Sequence, residues 1–215
     1  MRIRDFPSNQ IKVFTMKKHV LTALAIAAAS LISTQAFAQA KEGPWMVRAR
    51  AVSLSSANTD STGLGLTVSD IILPEVDISY FITPNFAAEL ILTVPQQHDV
   101  KSNGTKIGTI TQLPPTLLAQ YHFTNFTGFK PYVGAGINYT KFTSSDIASG
   151  AVTPDGSSWG AAFQVGVDVP LSGNMYFNFD VKKVLIKTNI NTAAGSAGTL
   201  KVDPLLVGVG LGWRF

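Results

Sequence analysis

The sequence predicts an all-β protein, an eight-stranded antiparallel transmembrane β-barrel. Three observations carry this. First, residues 202–215, VDPLLVGVGLGWRF, alternate with period two. Phe215, Trp213, Leu211, Val209, Val207 and Leu205 share one face; Arg214, Gly212, Gly210, Gly208 and Leu206 share the other, as along an extended strand. An apolar, aromatic face that persists to Phe215 suits contact with lipid. Second, seven upstream segments alternate in the same way, and the connections between them are by turns short and long, as in membrane barrels. Third, the apolar face collects Trp45, Phe86, Tyr121, Phe123, Trp159, Phe163, Phe177, Phe179, Trp213 and Phe215. These are too many and too large for the narrow interior of eight strands. The soluble rival, a lipocalin-type barrel with its apolar face inward, would also strand the glycines at 134, 136, 160, 166, 208, 210 and 212 outside, where small size has no use.

The strands follow in order. The first, 45–55, puts Trp45, Val47, Ala49 and Ala51 outward and Arg48, Arg50, Val52 and Leu54 inward. The second, 73–82, has Val76, Ile78, Tyr80 and Ile82 out and Glu75, Asp77 and Ser79 in; Thr83-Pro84-Asn85 then turns the chain. The third, 86–94, alternates Phe86, Ala88, Leu90, Leu92 and Val94 with Ala87, Glu89, Ile91 and Thr93. In the fourth, 110–123, Leu117, Ala119, Tyr121 and Phe123 face out, and Leu118, Gln120 and His122 face in. Pro114-Pro115 lacks two N–H donors and belongs near that strand's outer end. The fifth, 130–142, turns Tyr132, Gly134, Gly136, Asn138 and Thr140 inward. The sixth, 158–171, turns in Gly160, Gln164 and Asp168. The seventh, 175–188, turns in Asn178, Asp180 and Lys182. The eighth is 202–215. Residues 56–72, 95–109, 143–157 and 189–200 read as polar loops.

Residues 1–38 stand apart as an N-terminal extension and a cleaved signal peptide. From Met16 the chain reads MKKHVLTALAIAAASLISTQAFAQA, with basic Lys17 and Lys18, an apolar run over 20–32 and an A-x-A site at Ala36-Phe37-Ala38. The run falls short of the ~20 residues that span a bilayer as a helix. The barrel is then 39–215. Of 17 basic and 13 acidic residues, five and one lie in 1–38, which leaves 12 of each and no net charge. Nothing favours nucleic acid as a partner. The chain has no cysteine, so disulfides and thiolate metal sites are excluded.

Several long stretches resemble the OmpW family of outer-membrane proteins: LPPTLLAQYHF (113–123), KPYVGAGINYTKF (130–142), SWGAAFQVGVDVP (158–170) and DPLLVGVGLGWRF (203–215). The resemblance implies a monomeric eight-stranded barrel in the Gram-negative outer membrane, exported by its signal. It also implies an apolar interior cavity and passage of small hydrophobic solutes. Outer-membrane lipids and lipopolysaccharide are the expected surroundings, and the barrel-assembly machinery is expected to engage the strand ending at Phe215. Lys182-Lys183 departs from the family's pattern.

With the N-terminus periplasmic, the lower interior should gather Arg48, Arg50, Glu89, Gln120, His122, Asp168, Asn178, Asp180 and Arg214, with Lys182 near mid-height. Opposite charges in so narrow a space should pair and close the barrel below. Above them Val52, Leu54, Ile91, Leu118, Val184, Ile186 and Leu206 should form an apolar cup for a ligand, with exit downward or sideways into the bilayer. The alternative is a structural or adhesive small barrel with a filled, non-conducting interior. No enzyme is expected. Only His98, in a loop beside Asp99, and His122 remain after residue 38. No framed nucleophile motif accompanies them, and no paired-histidine spacing suggests a metal. No cofactor is expected.

Overall fold

A computed structural model describes residues 42–215. The signal segment and the boundary at 38/39 lie outside the described residues. Eight strands form the wall: β1 Trp45–Ser55, β2 Ile71–Phe81, β3 Phe86–Thr93, β4 Thr116–His122, β5 Lys130–Ile147, β6 Ser157–Ser172, β7 Met175–Val184 and β8 Leu205–Arg214. Each pairs antiparallel with the next, and β8 returns to β1 in the register Arg48↔Gly212 and Arg50↔Gly210. The ring leaves no open wall edge, as a bilayer requires of any sheet that crosses it.

The two faces sort as period two demands. Ile72, Trp159, Phe163 and Phe215 are more than half exposed. The alternate positions along the wall point inward and are buried, charged ones included: Arg48, Asp77, Glu89 and Asp180 are all 0 % exposed. Such an inside-out distribution is stable only if lipid covers the wall. Rings of Trp45 and Tyr80 (centroids 4.8 Å apart) and of Phe86, Tyr121 and Phe123 (5.0 Å each) cluster near the short turns, where an aromatic girdle meets the interface. Interior glycines make room for the long side chains opposite. A Cβ on Gly166 would lie 2.3 Å from the Tyr132 ring, and one on Gly210 would lie 2.0 Å from the Ala49 carbonyl oxygen.

The long connections correct the sequence expectation. They are not irregular loops. Thr59–Asp60, Leu66–Val68, Gln96–Ser102, Thr105–Leu113, Val152–Pro154, Lys187–Thr192 and Gly195–Lys201 are strands. With the upper part of β5 they continue the wall beyond its membrane segment. The 59–60 and 66–68 strands are bridged by Asn58, whose side chain donates to Val68 O (2.9 Å) and accepts from Val68 N (2.8 Å). Small polar residues dominate these segments and dilute the alternation, yet many inward positions are apolar: Val100, Ile110, Ile147, Val152, Ile190 and Leu200. The predicted fourth and seventh strands are each split accordingly. The fourth breaks at Pro114-Pro115, where two residues cannot donate to the ladder; the seventh breaks at Leu185-Ile186.

Candidate functional site

The interior is layered. At the short-turn rim, Glu42 accepts hydrogen bonds from Tyr176 OH (2.7 Å), from Arg214 Nη1 (2.6 Å) and from Lys130 Nζ. Arg214 also donates through Nε to Gly43 O (2.9 Å) and lies 3.7 Å from the Phe81 ring centroid. Arg214 therefore belongs to the mouth and not to the inner charged set in which the sequence placed it. Glu42 precedes the first strand, where no alternation could reveal it. Half-burial alone would raise the Glu42 pKa. Hydrogen bonds from Lys130 and Tyr176, and the charges of Lys130 and Arg214, hold it below the ordinary glutamate value.

Above the rim, His122 lies between the rings of Phe81 (4.7 Å) and Tyr132 (4.9 Å). Its Nε2 lies 3.1 Å from Gln120 Oε1, and Gln120 Nε2 donates to Gln164 Oε1 (2.8 Å).

The ionic layer comes next, built by cross-strand register: Arg48 stands opposite Asp77, and Arg50 opposite Glu75. Arg48 grips Asp168 with two parallel bonds (Nε–Oδ1 3.0 Å, Nη2–Oδ2 2.7 Å) and donates through Nη1 to Asp77 (3.0 Å) and Ser79 (2.9 Å). This fork geometry is what guanidinium offers carboxylates. Arg50 meets Glu75 (2.9 Å), Asp77 (2.5 Å) and Asn178 (3.0 Å). Lys182 joins Glu75 (2.7 Å) to Asp180 (2.5 Å). Tyr132 OH donates to Asp180 Oδ2 (3.1 Å), and Asn178 Nδ2 donates to Asp168 Oδ1 (2.8 Å). Glu89 Oε1 is 3.5 Å from Arg48 and 3.4 Å from Arg50, while its Oε2 has no hydrogen-bond partner. The layer thus sets five carboxylates (Glu75, Asp77, Glu89, Asp168, Asp180) against three cations. Glu75, Asp77 and Tyr132 were legible as inward residues but were missing from the expected charged set. Their pairing across strands was the signal that would have added them.

Val52, Leu54, Ile91, Leu118, Val184, Ile186 and Leu206 lie above, all buried. They belong to one cluster with the outer residues Leu66, Val68, Val100, Ile110, Phe142, Ile147, Ile190, Leu200 and Val202. The apolar column is therefore taller than the expected cup. It contains a void of about 20 Å³ at mid-height and another of about 10 Å³ in the outer extension. A polar band interrupts it. Gln112 Nε2 reaches Gln96 Oε1 (3.3 Å) and His98 Nε2 (3.2 Å), while His98 Nδ1 lies 2.8 Å from Ser69 O. A carbonyl only accepts, so Nδ1 carries the proton and Nε2 accepts from Gln112. Burial lowers the His98 pKa, against the opposing pull of the Ser69 carbonyl and Asp70. His98 is 1 % exposed, and its placement in a loop is corrected: it sits on an inward position of the Gln96–Ser102 strand.

The wall ladder is interrupted beside the mid-height void. Neither Pro114 nor Pro115 can donate, and Asn138 Nδ2 turns to their carbonyls (3.2 and 3.3 Å) and to Thr116 Oγ1 (2.8 Å). Between β3 and β4 the paired register stops at Ile91↔Thr116 and resumes only at Gln96↔Gln112.

Comparison with known proteins agrees with this architecture. The model of the OmpW family matches residues 39–215. The outer-membrane protein y4mB of Sinorhizobium fredii is 40% identical over 206 residues, covering 88% of this chain and 90% of that protein. Outer membrane protein W of Escherichia coli is 35% identical over 225 residues, covering 93% and 100%. The crystal structure of the outer membrane protein OprG from Pseudomonas aeruginosa superposes with a TM-score of 0.69 at 28% identity, covering 81% of this chain and 97% of that one.

Proposed function

The chain belongs to the OmpW family of outer-membrane proteins, and from that premise we propose that it gives passive passage to small hydrophobic molecules. The solute enters at the outer extension and descends the apolar column. It stops above the ionic layer, which acts as a plug, and leaves sideways into the bilayer beside Pro114-Pro115. The observation that carries this reading is the coincidence at one height of a void at the foot of the apolar column, an ionic floor and a broken ladder. To go further down, an apolar solute would have to displace hydrogen-bonded charges. Sideways it meets lipid. The outer extension stands among lipopolysaccharide head groups in this account, and β8 with Phe215 is the segment that the assembly machinery engages.

The rival reading is a filled, non-conducting barrel. The small size of the two voids, about 20 and 10 Å³, favours it. Passage then requires that the aliphatic side chains around the upper void give way, which needs only rotamer changes. The two readings part on transport. Liposomes carrying the protein should accumulate an alkane faster than empty liposomes and should exclude a sugar of similar size. Replacing both prolines with alanine restores two ladder donors and should slow alkane entry. Sugar entry at the alkane's rate would indicate a water-filled pore, and no uptake of either would favour the filled barrel.

A further inference from the structure

The mid-height void is not lined like a site for a plain hydrocarbon. Leu54, Ile91, Val184 and Leu206 form its apolar side, but its floor is the Lys182–Glu75 pair and Gln112 stands on its upper side. Lys182 spends two of its three N–H donors on Glu75 and Asp180. Glu75 takes both Arg50 and Lys182 on Oε1, and among the described residues its Oε2 accepts nothing. Gln112 uses its amide N–H group on Gln96 and His98, and among the described residues its carbonyl oxygen likewise accepts nothing. The other polar lining groups bond to one another, Gln96 to Thr93 and Asn138 to Thr116, so one free donor and two free acceptors stand among groups that are apolar or already paired. At about 20 Å³, the void has room for one oxygen-sized group.

We infer that this cavity selects small neutral amphiphiles, with an apolar body and a single hydroxyl that bonds to the Lys182–Glu75 floor. The inference rests on the passage reading above and names its substrate class. A hydroxyl both donates and accepts, so it can accept a hydrogen bond from the spare Lys182 N–H and donate one to Glu75 Oε2. A pure alkane would leave those buried groups unpaired, which is how sites built for a hydroxyl reject the analogue without one. A carboxylate would add a charge to a layer that already holds five carboxylates against three cations. An alkylammonium would meet the Lys182 ammonium at the same floor.

The test titrates the full barrel in lipid nanodiscs, with isotope-labelled Ile, Leu and Val methyls, against hexan-1-ol, hexane, hexanoate and hexylammonium. Hexan-1-ol should shift the methyl signals of Ile91, Val184 and Leu206 saturably, with a Kd at least tenfold below those of the other three probes. Lys182→Met should bring the alcohol within threefold of the alkane. Gln112→Leu, outside the ionic layer, should narrow the same gap if Lys182→Met fails to fold. Equal affinities for hexan-1-ol and hexane in the native protein would overturn the inference while leaving passage intact. Tighter binding of hexanoate or hexylammonium would overturn it too. Saturable hexan-1-ol binding with no faster entry of hexan-1-ol into protein-bearing than into empty liposomes would instead refute passage and leave the site standing.

Discussion

Removing a positive charge from the ionic layer and removing a negative one should have unequal effects. Arg48 is fully buried and bonds to Asp168, Asp77 and Ser79. Arg48→Met keeps an apolar stem but strips Asp168 of its only cation among the described residues and Asp77 of one of its two, and the formal excess rises from two negative charges to three. Breaking a buried pair from one side costs ~3–5 kcal/mol, because it leaves an uncompensated charge. Glu89→Gln does the reverse. It is nearly isosteric, lowers the excess from two to one and removes an oxygen, Oε2, that has no hydrogen-bond partner. Its cost should be within ~1 kcal/mol of zero, since replacing an unsatisfied buried charge relieves its desolvation. Urea unfolding in lipid vesicles, followed by tryptophan fluorescence, reads both. At an m value of ~2 kcal/mol/M, Arg48→Met should lower the midpoint by roughly 2 M and Glu89→Gln should scarcely move it. Equal losses from the two substitutions would refute the charge arithmetic, as would an unchanged midpoint for Arg48→Met.

Two further outcomes follow from the geometry. Gly210→Ala places a Cβ 2.0 Å from the Ala49 carbonyl oxygen, so the β1–β8 seam must spread. Folding yield should fall sharply, seen as loss of the heat-modifiable band on gels, whereas Ala at Gly156, where nothing lies within 4 Å, should fold normally. At the rim, Glu42 titrates below the ordinary glutamate value. The stabilisation that it gives the N-terminal segment is thus full above the unfolded pKa of ~4.3 and is lost as pH falls through the lower, folded pKa. Hydrogen exchange at the Trp45 amide, which donates to Phe215 O (3.0 Å), should lose protection in that acidic window after correction for intrinsic rates. Glu42→Gln should remove the pH dependence.

Most of the wall was legible because period two is a strong signal when one face meets lipid and the other a crowded interior. Residues such as Ile78 and Asp77 differ so much in what they tolerate that a one-residue slip would bury lipid-facing groups and expose charges to hydrocarbon. The outer strands were illegible for the opposite reason. Their outward faces meet water, so Ser, Thr and Gly stand where the wall carries aromatics, and the contrast with Val100 or Ile190 is faint. The splits at Pro114-Pro115 and Leu185-Ile186 divide strands whose alternation runs on, with inward Gln112, Thr116, Val184 and Ile186 in step. Among the interior residues, alternation identified which side chains point inward but not their partners. Arg214 has the right parity for the lumen, yet it lies at the mouth because Glu42, from a segment without alternation, draws it there.

If solutes travel through the interior of this barrel and not along its surface, two adjacent residues on opposite faces of β3 should respond differently to the same substitution. Leu90 is 40 % exposed on the lipid face, and Ile91 is 3 % exposed, opposite Asp77 in the register. Leu90→Lys should reduce stability by ~2–4 kcal/mol near the bilayer midplane. Ile91→Lys, facing the carboxylate excess, should fold into the membrane and yet abolish alkane uptake into liposomes by placing an ammonium in the apolar column. Uptake at the native rate with lysine at 91, or the same outcome at both positions, would contradict the account.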